Sequence, residues 1–300
     1  MLLDGIHHIS CITGNAAANL DFYVRVMGLR LVAKTVNQDD PYVYHLFYAD
    51  ELGSPGSDLT FFEYPGALPG RAGAGMAYRI SFRVATEAAL VFWEARVRAE
   101  GIAAERMEAA LRFNDPEGLE LEIVVRQTDD PALIAERSDI PRDLALTGFD
   151  GVNAYGRREG TKRVLEEVMG GRGAGDWTWE VRGPTRGGTI AFDPAPDLPG
   201  RPGAGTVHHV AWATEYDEHE QWLERLQHAG VRSTPIVERF YFRSIYFREP
   251  GGLLYELATK GPGFTIDSPL EELGTRLILP PAFEPRRAEI EQRLTPLSNP

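Results

Sequence analysis

Residues 198–214 read LPGRPGAGTVHHVAWAT, and the first eight have a near copy at residues 68–75, LPGRAGAG. Seven of the eight positions agree at an offset of 130. A repeat of this quality organises a chain before any single residue is interpreted. The segments that follow also correspond. MAYRISFRVAT from Met76 lies against TVHHVAWATEY from Thr206, and FNDPEGLELEI from Phe113 lies against FREPGGLLYEL from Phe247. The two halves of the chain are therefore related.

Each half divides again. HHISCIT (7–13) alternates in the manner of a strand. NLDFYVRVMGLRLV (19–32) places Leu20, Tyr23, Val24 and Met27 at helical spacing, with Gly28 as a helix stop. The same order of strand, helix and glycine recurs at 79–102, more weakly at 149–171, and at 208–231. After each helix come short β-like runs split by turn residues, such as YVYHLFYAD (42–50), LTFFEYPG (59–66) and SIYFREPGGLLYELAT (244–259). The unit is strand, helix, then about three strands, four times over, starting near residues 5, 76, 148 and 206. The Pro/Gly-rich stretches at 65–75 and 194–205 read as linkers between units, and TDDPALIAERSDIPRD (128–143) as the main boundary. We expect an α+β chain with a first pair of modules over 1–135 and a second pair over 146–260. A tail over 261–300 carries a short helix in PRRAEIEQRL (285–294).

Bulk composition narrows the function classes. The 300 residues carry a net charge of -13, which repels phosphate backbones and anionic lipid, so neither nucleic acid nor a membrane is the expected partner. No stretch approaches the 18 or so unbroken apolar residues of a membrane span. The N-terminus lacks a basic, then apolar, leader. The single cysteine, Cys11, allows no internal disulfide. A cytoplasmic enzyme or binding protein fits, as a monomer or a homo-oligomer.

Four such modules, with GIHHIS opening the first and EPGG followed by Glu256 closing the last, resemble the vicinal oxygen chelate superfamily. That superfamily includes glyoxalase I, bleomycin-resistance proteins and extradiol dioxygenases. The resemblance covers roughly residues 4–260. GIHHIS, NLDFYVRVMGLRLV, RFYFRSIYFREPGG and the tail segment LPPAFEP are most similar to its ring-cleaving branch, which acts on hydroquinones or catechols. It implies four βαβββ modules that form two curled sheets, or incomplete barrels, with a metal held in the cup of one.

Strand alternation lets one histidine of each adjacent pair face that cup. Ile9 with Cys11, and Val210 with Trp212, are the apolar sets that would pack under helices. His8 and His209 are then the ligands, with His7 and His208 as the alternative. Glu256 stands in the family's carboxylate position. Two imidazoles and a carboxylate form the facial triad of non-haem Fe(II), with positions left for a chelating substrate and dioxygen. Mn(II), Ni(II) or Zn(II) suit the same donors. The positions matching His209 and Glu256 in the first half are Arg79 and Glu122, and the third module has Asp150 and Gly151, so a single site shared by modules one and four is expected. Glu63 is a possible fourth ligand, although counting from the turn glycine lands on Thr60.

IYFREPGGLLYE (245–256) is similar to the end of the extradiol signature. Tyr246 takes the tyrosine position, which in that family bonds the substrate oxygen. Val237–Glu238–Arg239 stands where the signature places an acid/base histidine. His45 is the expected substitute for proton transfer. By parity Arg239, Tyr241 and Arg243 share a face and could stabilise an anionic ring or reduced oxygen. The expected partners are a small aromatic substrate and O2. A glyoxalase-like lyase using a fourth ligand, and a metal-free binding protein, are the rival readings.

Overall fold

The structure is a computed structural model that describes residues 1–156 and 160–298. Arg157, Arg158 and Glu159 of the weak third copy, and the last two residues of the tail, lie outside the described residues. Four βαβββ modules are present. The first comprises β1 (Ile6–Thr13), α1 (Ala16–Leu20), β2 (Arg30–Val36), β3 (Tyr44–Ala49) and β4 (Asp58–Glu63). The second comprises β5 (Met76–Val84), α2 (Glu87–Ala99), β6 (Ala104–Arg106), β7 (Ala110–Asn114) and β8 (Glu120–Val125). The third comprises β9 (Phe149–Tyr155), α3 (Thr161–Arg163), β10 (Arg172–Gly175), β11 (Thr178–Arg182) and β12 (Gly187–Asp193). The fourth comprises β13 (Thr206–Thr214), α4 (His219–His228), β14 (Val237–Glu238), β15 (Phe242–Arg248) and β16 (Leu254–Pro262). α5 (Arg287–Arg293) lies in the tail.

The modules pair out of sequence order. One eight-stranded sheet runs β14-β15-β16-β13-β1-β4-β3-β2, so it joins modules one and four. The other runs β10-β11-β12-β9-β5-β8-β7-β6, so it joins modules two and three. The halves 1–135 and 146–260 are thus units of sequence, while each sheet draws one module from each half. The apolar faces pack under helices as alternation demands. Ile9 and Val210 are register partners, and both are buried with Cys11 and Trp212. α1 passes into a π-helical turn at Asp21–Val26, and α3 does the same at Val164–Val168. Gly28 ends the first of these at φ +67, and a Cβ there would strike the Ile140 side chain at 2.2 Å.

The two LPGR stretches do more than link modules. They hook each other. Arg71 and Arg201 exchange backbone hydrogen bonds of 2.8 Å in both directions. The Arg71 guanidinium donates to the Pro199 carbonyl at 3.0 Å, and the Arg201 guanidinium donates to the Pro69 carbonyl at 2.8 Å. A Cβ on Gly73 would lie 2.2 Å from the Gly200 nitrogen. This reciprocal contact is a physical reason for the repeat to stay so similar in both copies, because each loop is the other's binding surface. The expected boundary near 128–146 is also tied down. Asp130 accepts from Arg83 at 2.5 Å and from Arg182 at 2.6 Å. The tail bonds to β2 through the Ile278 N–H and the Lys34 carbonyl, and it buries Ile290 and Leu294.

Candidate metal centre in the first sheet

β1 and β13 run antiparallel at the centre of the first sheet, with Ile9 opposite Val210 and Ser10 opposite His209. The register slips at two places. Between Ile6 and Ile9, β1 advances three residues while β13 advances two, so β1 carries an extra residue at His7–His8. Between Ser10 and Cys11, β13 advances from His209 to Val207, so it carries an extra residue at His208–His209. Each histidine pair therefore sits on a β-bulge, which breaks strict alternation and re-aims side chains. Adjacent imidazoles then meet: His7 Nδ1 lies 2.9 Å from His8 Nδ1, and His208 Nδ1 lies 2.8 Å from His209 Nδ1.

The expected triad assembles from three strands. His8 Nε2 and His209 Nε2 lie 3.2 Å apart. Glu256 Oε2 is 3.2 Å from His8 Nε2 and 2.8 Å from His209 Nε2. All three residues are buried, and their donor atoms could hold a metal ion. Ala211 stands opposite Glu256 on β13 and leaves space for the carboxylate. Ser244 on β15 donates to Glu256 Oε1 at 2.5 Å, which turns Oε2 towards the imidazoles. Oε2 itself has no hydrogen bond. With both imidazoles neutral and bare at Nε2, three lone-pair donors converge here, and that arrangement suits a cation between them.

The spacing can be tested against coordination geometry. Ligands about 2.1 Å from a metal and at right angles to one another are about 3.0 Å apart, whereas tetrahedral angles separate them by about 3.4 Å. The three edges here are 2.8, 3.2 and 3.2 Å. They fall in the range that three ligands of one metal ion require.

The hydrogen bonds behind the triad fix a tautomer. His7 Nε2–H donates to the Thr259 carbonyl at 3.1 Å, since a carbonyl only accepts. Burial, with His8 beside it, lowers the His7 pKa to about 3, so the ring is neutral and its Nδ1 carries a lone pair. His8 Nδ1–H therefore donates to His7, and in the neutral ring this tautomer turns a bare Nε2 towards the site. On β13 a cation at Nε2 would fix the same sense, with His209 Nδ1–H donating to His208. Burial also lowers the His209 pKa. Burial pushes the Glu256 carboxyl up, and only protonated, charged imidazoles beside it outweigh that and hold the group well below the usual carboxylate range.

The remaining expected residues divide. His45, Arg239 and Tyr246 line a small inner pocket of about 40 Å3 beside the triad. His45 packs between the rings of Phe47 and Phe62, and burial with two nearby imidazoles pushes its pKa well below the ordinary value. Its Nε2 lies 2.9 Å from Thr60 Oγ1, which lies 2.7 Å from Ser10 Oγ. Arg239 Nε donates to the Tyr246 hydroxyl at 3.3 Å.

Tyr241 and Arg243 must be corrected, because neither lines the cavity. Parity assumed one continuous strand. β14 ends at Glu238 and β15 starts at Phe242, and between them Phe240 adopts φ +63, a region costly for a side chain of this kind. This turn resets the alternation, so Phe242, Ser244 and Tyr246 face the cup with Arg239. Tyr241 packs on Phe47 and Phe264, and burial pushes its phenol well up. Arg243 lies on the outer side, bonded to Glu238 and Glu220 and 4.2 Å from the Tyr216 ring centre.

Glu63 faces away from the cup. Its Oε1 accepts the Ala16 N–H at the start of α1, while Thr60 takes the inward position. The sequence alone assigns the hydroxyls of Thr60 and Ser10 no role beside His45. Parity places both on the cup face, but their contact depends on the β1–β4 register. The second sheet keeps the bulges and loses the donors. β5 has its extra residue near Tyr78 and β9 near Asp150. Arg79 takes the place of His209 and bonds Glu120, while Glu122 accepts from Ser81 and Arg112. A guanidinium thus supplies the positive charge there. A wider cleft of about 610 Å3 lies beside the hooked loops and contains none of the triad.

Comparisons with known proteins agree with this architecture. The chain is 40% identical over 316 residues to MhqA of Bacillus subtilis (strain 168), by name a ring-cleaving dioxygenase, with 99% of this chain and all of that protein covered. It is 30% identical over 307 residues to the chlorohydroquinone/hydroquinone 1,2-dioxygenase of Sphingobium indicum, covering 96% and 95% of the two chains. A crystal structure of a protein described as a dioxygenase from Bacillus subtilis superposes with a TM-score of 0.93 at 39% identity, over 99% of this chain and 98% of that one. Glyoxalase I from Zea mays shares the fold at a TM-score of 0.60 and 13% identity, covering 85% and 92%. No helix among the described residues is long and apolar enough to cross a membrane. The family model spans residues 5–123 and 152–257, and the chain belongs to the Glyoxalase/Bleomycin resistance protein/Dioxygenase superfamily.

Proposed function

We propose that this protein is a ring-cleaving dioxygenase of the extradiol type that acts on a hydroquinone or catechol, with Fe(II) held by His8, His209 and Glu256. The observation that carries the reading is the convergence of those three donors, at 2.8–3.2 Å, beside a cavity lined by aromatic rings and proton-carrying groups. Relatives named for ring cleavage over nearly the full chain support it. Bound iron would supply a one-electron path between an electron-rich ring and dioxygen. Both oxygen atoms of O2 end in the ring-opened product.

The chain's own residues bind, orient and move protons. Tyr246 presents its O–H where negative charge develops on the substrate oxygen, and the Arg239 Nε–H bonded to that hydroxyl orients and polarises it. A ring hydroxyl loses its proton on binding, and a later intermediate takes one up. His45 is neutral and so able to accept that proton. The hydroxyls of Ser10 and Thr60 connect its Nε2 to the pocket over 2.7 and 2.9 Å. Phe47, Phe62 and Phe242 keep water from the reacting edge of the ring. The lyase alternative lacks its fourth ligand, because Glu63 serves the start of α1.

The test is oxygen uptake by protein reconstituted anaerobically with Fe(II) and then given panels of catechols and hydroquinones. Uptake that needs both iron and a ring supports the reading. Stoichiometric metal binding without uptake on any ring returns the protein to the lyase class.

A further inference from the structure

The inner pocket of about 40 Å3 is too small for a whole aromatic ring, since a cavity that holds benzene measures roughly 150 Å3. It adjoins a vestibule of about 310 Å3, and Phe62, His209, Arg239 and Tyr246 line both. A ring whose edge reaches the triad must carry its far substituents past Arg239 into the vestibule. The outer edge of Arg239 is already occupied. Its Nη1 and Nη2 donate to the two oxygens of Asp39 at 3.2 and 2.9 Å. Asp39 projects from the 37–43 loop of module one, and its side chain is 73% exposed, so its carboxylate occupies a position that an entering molecule can reach.

That loop is built to hold Asp39 in place. The Asp39 N–H donates to Asn37 Oδ1 at 2.9 Å, and the Asn37 N–H donates to the Val43 carbonyl at 2.8 Å. Tyr42 is clasped by the tail helix, with its hydroxyl on Glu289 and Arg293 4.2 Å from its ring centre. The strained turn at Phe240 brings Arg239 to the same point from module four.

We infer that Asp39 is a specificity-determining residue that selects uncharged rings: its carboxylate fills the bidentate edge of Arg239 that a carboxylate-bearing substrate would need, and repels such a substrate at the mouth. The inference rests on the ring-substrate reading above. An Arg–carboxylate fork is a two-point, charge-assisted contact, so an internal carboxylate in that position both satisfies the guanidinium and discriminates against a second anion. With Asp39 replaced by Asn, the repelling charge is gone and at most one acceptor remains, so an arm of the Arg239 fork is freed towards the vestibule.

The test compares 2,5-dihydroxyphenylacetate with its methyl ester, which has the same ring without the charge. The wild type, Asp39→Asn and the double variant Asp39→Asn/Arg239→Gln are each measured by oxygen uptake. The Kd of both compounds is measured by anaerobic calorimetry. The wild type is expected to prefer the ester. Asp39→Asn should shift the acid-to-ester ratio of kcat/KM, and of affinity, towards the acid by at least about fivefold through KM, and the double variant should lose that gain. A smaller shift, or a gain that survives in the double variant, overturns the inference. If no ring of the catechol and hydroquinone panel supports uptake in the wild type, the dioxygenase reading fails, and the Kd ratio still decides the role of Asp39.

Discussion

Replacing His7 by alanine should weaken metal binding although His7 is not among the three converging donors. In the folded chain the Thr259 carbonyl orients His7, and His7 accepts the Nδ1 proton of His8. Without that acceptor, His8 Nδ1–H is buried with no partner, and the favoured tautomer moves its proton to Nε2, the atom that must be bare to ligate. Restoring the binding tautomer then costs about 1–3 kcal/mol, the penalty for an unsatisfied buried polar group. That corresponds to roughly 10–100-fold in affinity, the range seen when hydrogen-bond partners of ligand histidines are removed. The matching change on the other strand provides the control. His208 is exposed, so water can replace it behind His209, and His208→Ala should cost less than about threefold. His7→Gln, whose amide can both donate to Thr259 and accept from His8, should recover part of the loss. The assay is anaerobic competition with a chromophoric chelator for Fe(II) and Co(II), with thermal melts to establish folding. A His7→Ala Kd within about twofold of wild type, or an equal loss in His208→Ala, would refute the tautomer argument.

Other consequences are open to direct measurement. Ser244→Ala leaves Glu256 Oε1 without its donor in a fully buried setting, and it should lower metal affinity by about tenfold in the same chelator assay. Gly73→Ala forces a Cβ to 2.2 Å from the Gly200 backbone, and it should cost about 1–3 kcal/mol in denaturant melts, whereas Gly173→Ala meets nothing within 4 Å and should be neutral or better. Burial lowers the His219 pKa to about 4, so the unfolded chain takes up a proton that the folded chain refuses. The resulting stability is full above pH 6.5 and is lost as pH falls towards 4, by roughly 3 kcal/mol at the lower end. His219→Gln should remove that part of the pH slope in urea titrations across the window.

Much of this was legible because it is periodic or repeated. The LPGR repeat and the recurring strand–helix–glycine order predict four modules, and the absence of histidine from the second and third predicts one site built by the first and fourth. His8, His209 and Glu256 follow from parity together with the resemblance. What escaped has a common cause: it lies where periodicity fails. The bulges at His7–His8 and His208–His209 have no local sequence signature, so strict alternation gives His7 and His208 no part in the site. The left-handed turn at Phe240 likewise displaced Tyr241 and Arg243 from the cup, because parity cannot be carried across an interrupted strand. The clasp between Asp39 and Arg239 joins residues 200 positions apart, and only the pairing of modules one and four brings them together.

On the proposed reading, the triad in the first sheet is the centre at which dioxygen is added across a ring bond. The most direct measurement is mass spectrometry of the product formed from hydroquinone under 18O2, by Fe(II)-loaded wild type and by His209→Ala, with metal content determined for both. The wild type should give a ring-opened product with two labelled oxygen atoms, and the variant none above background. An unopened product, or a doubly labelled one formed equally well by His209→Ala, would contradict that reading.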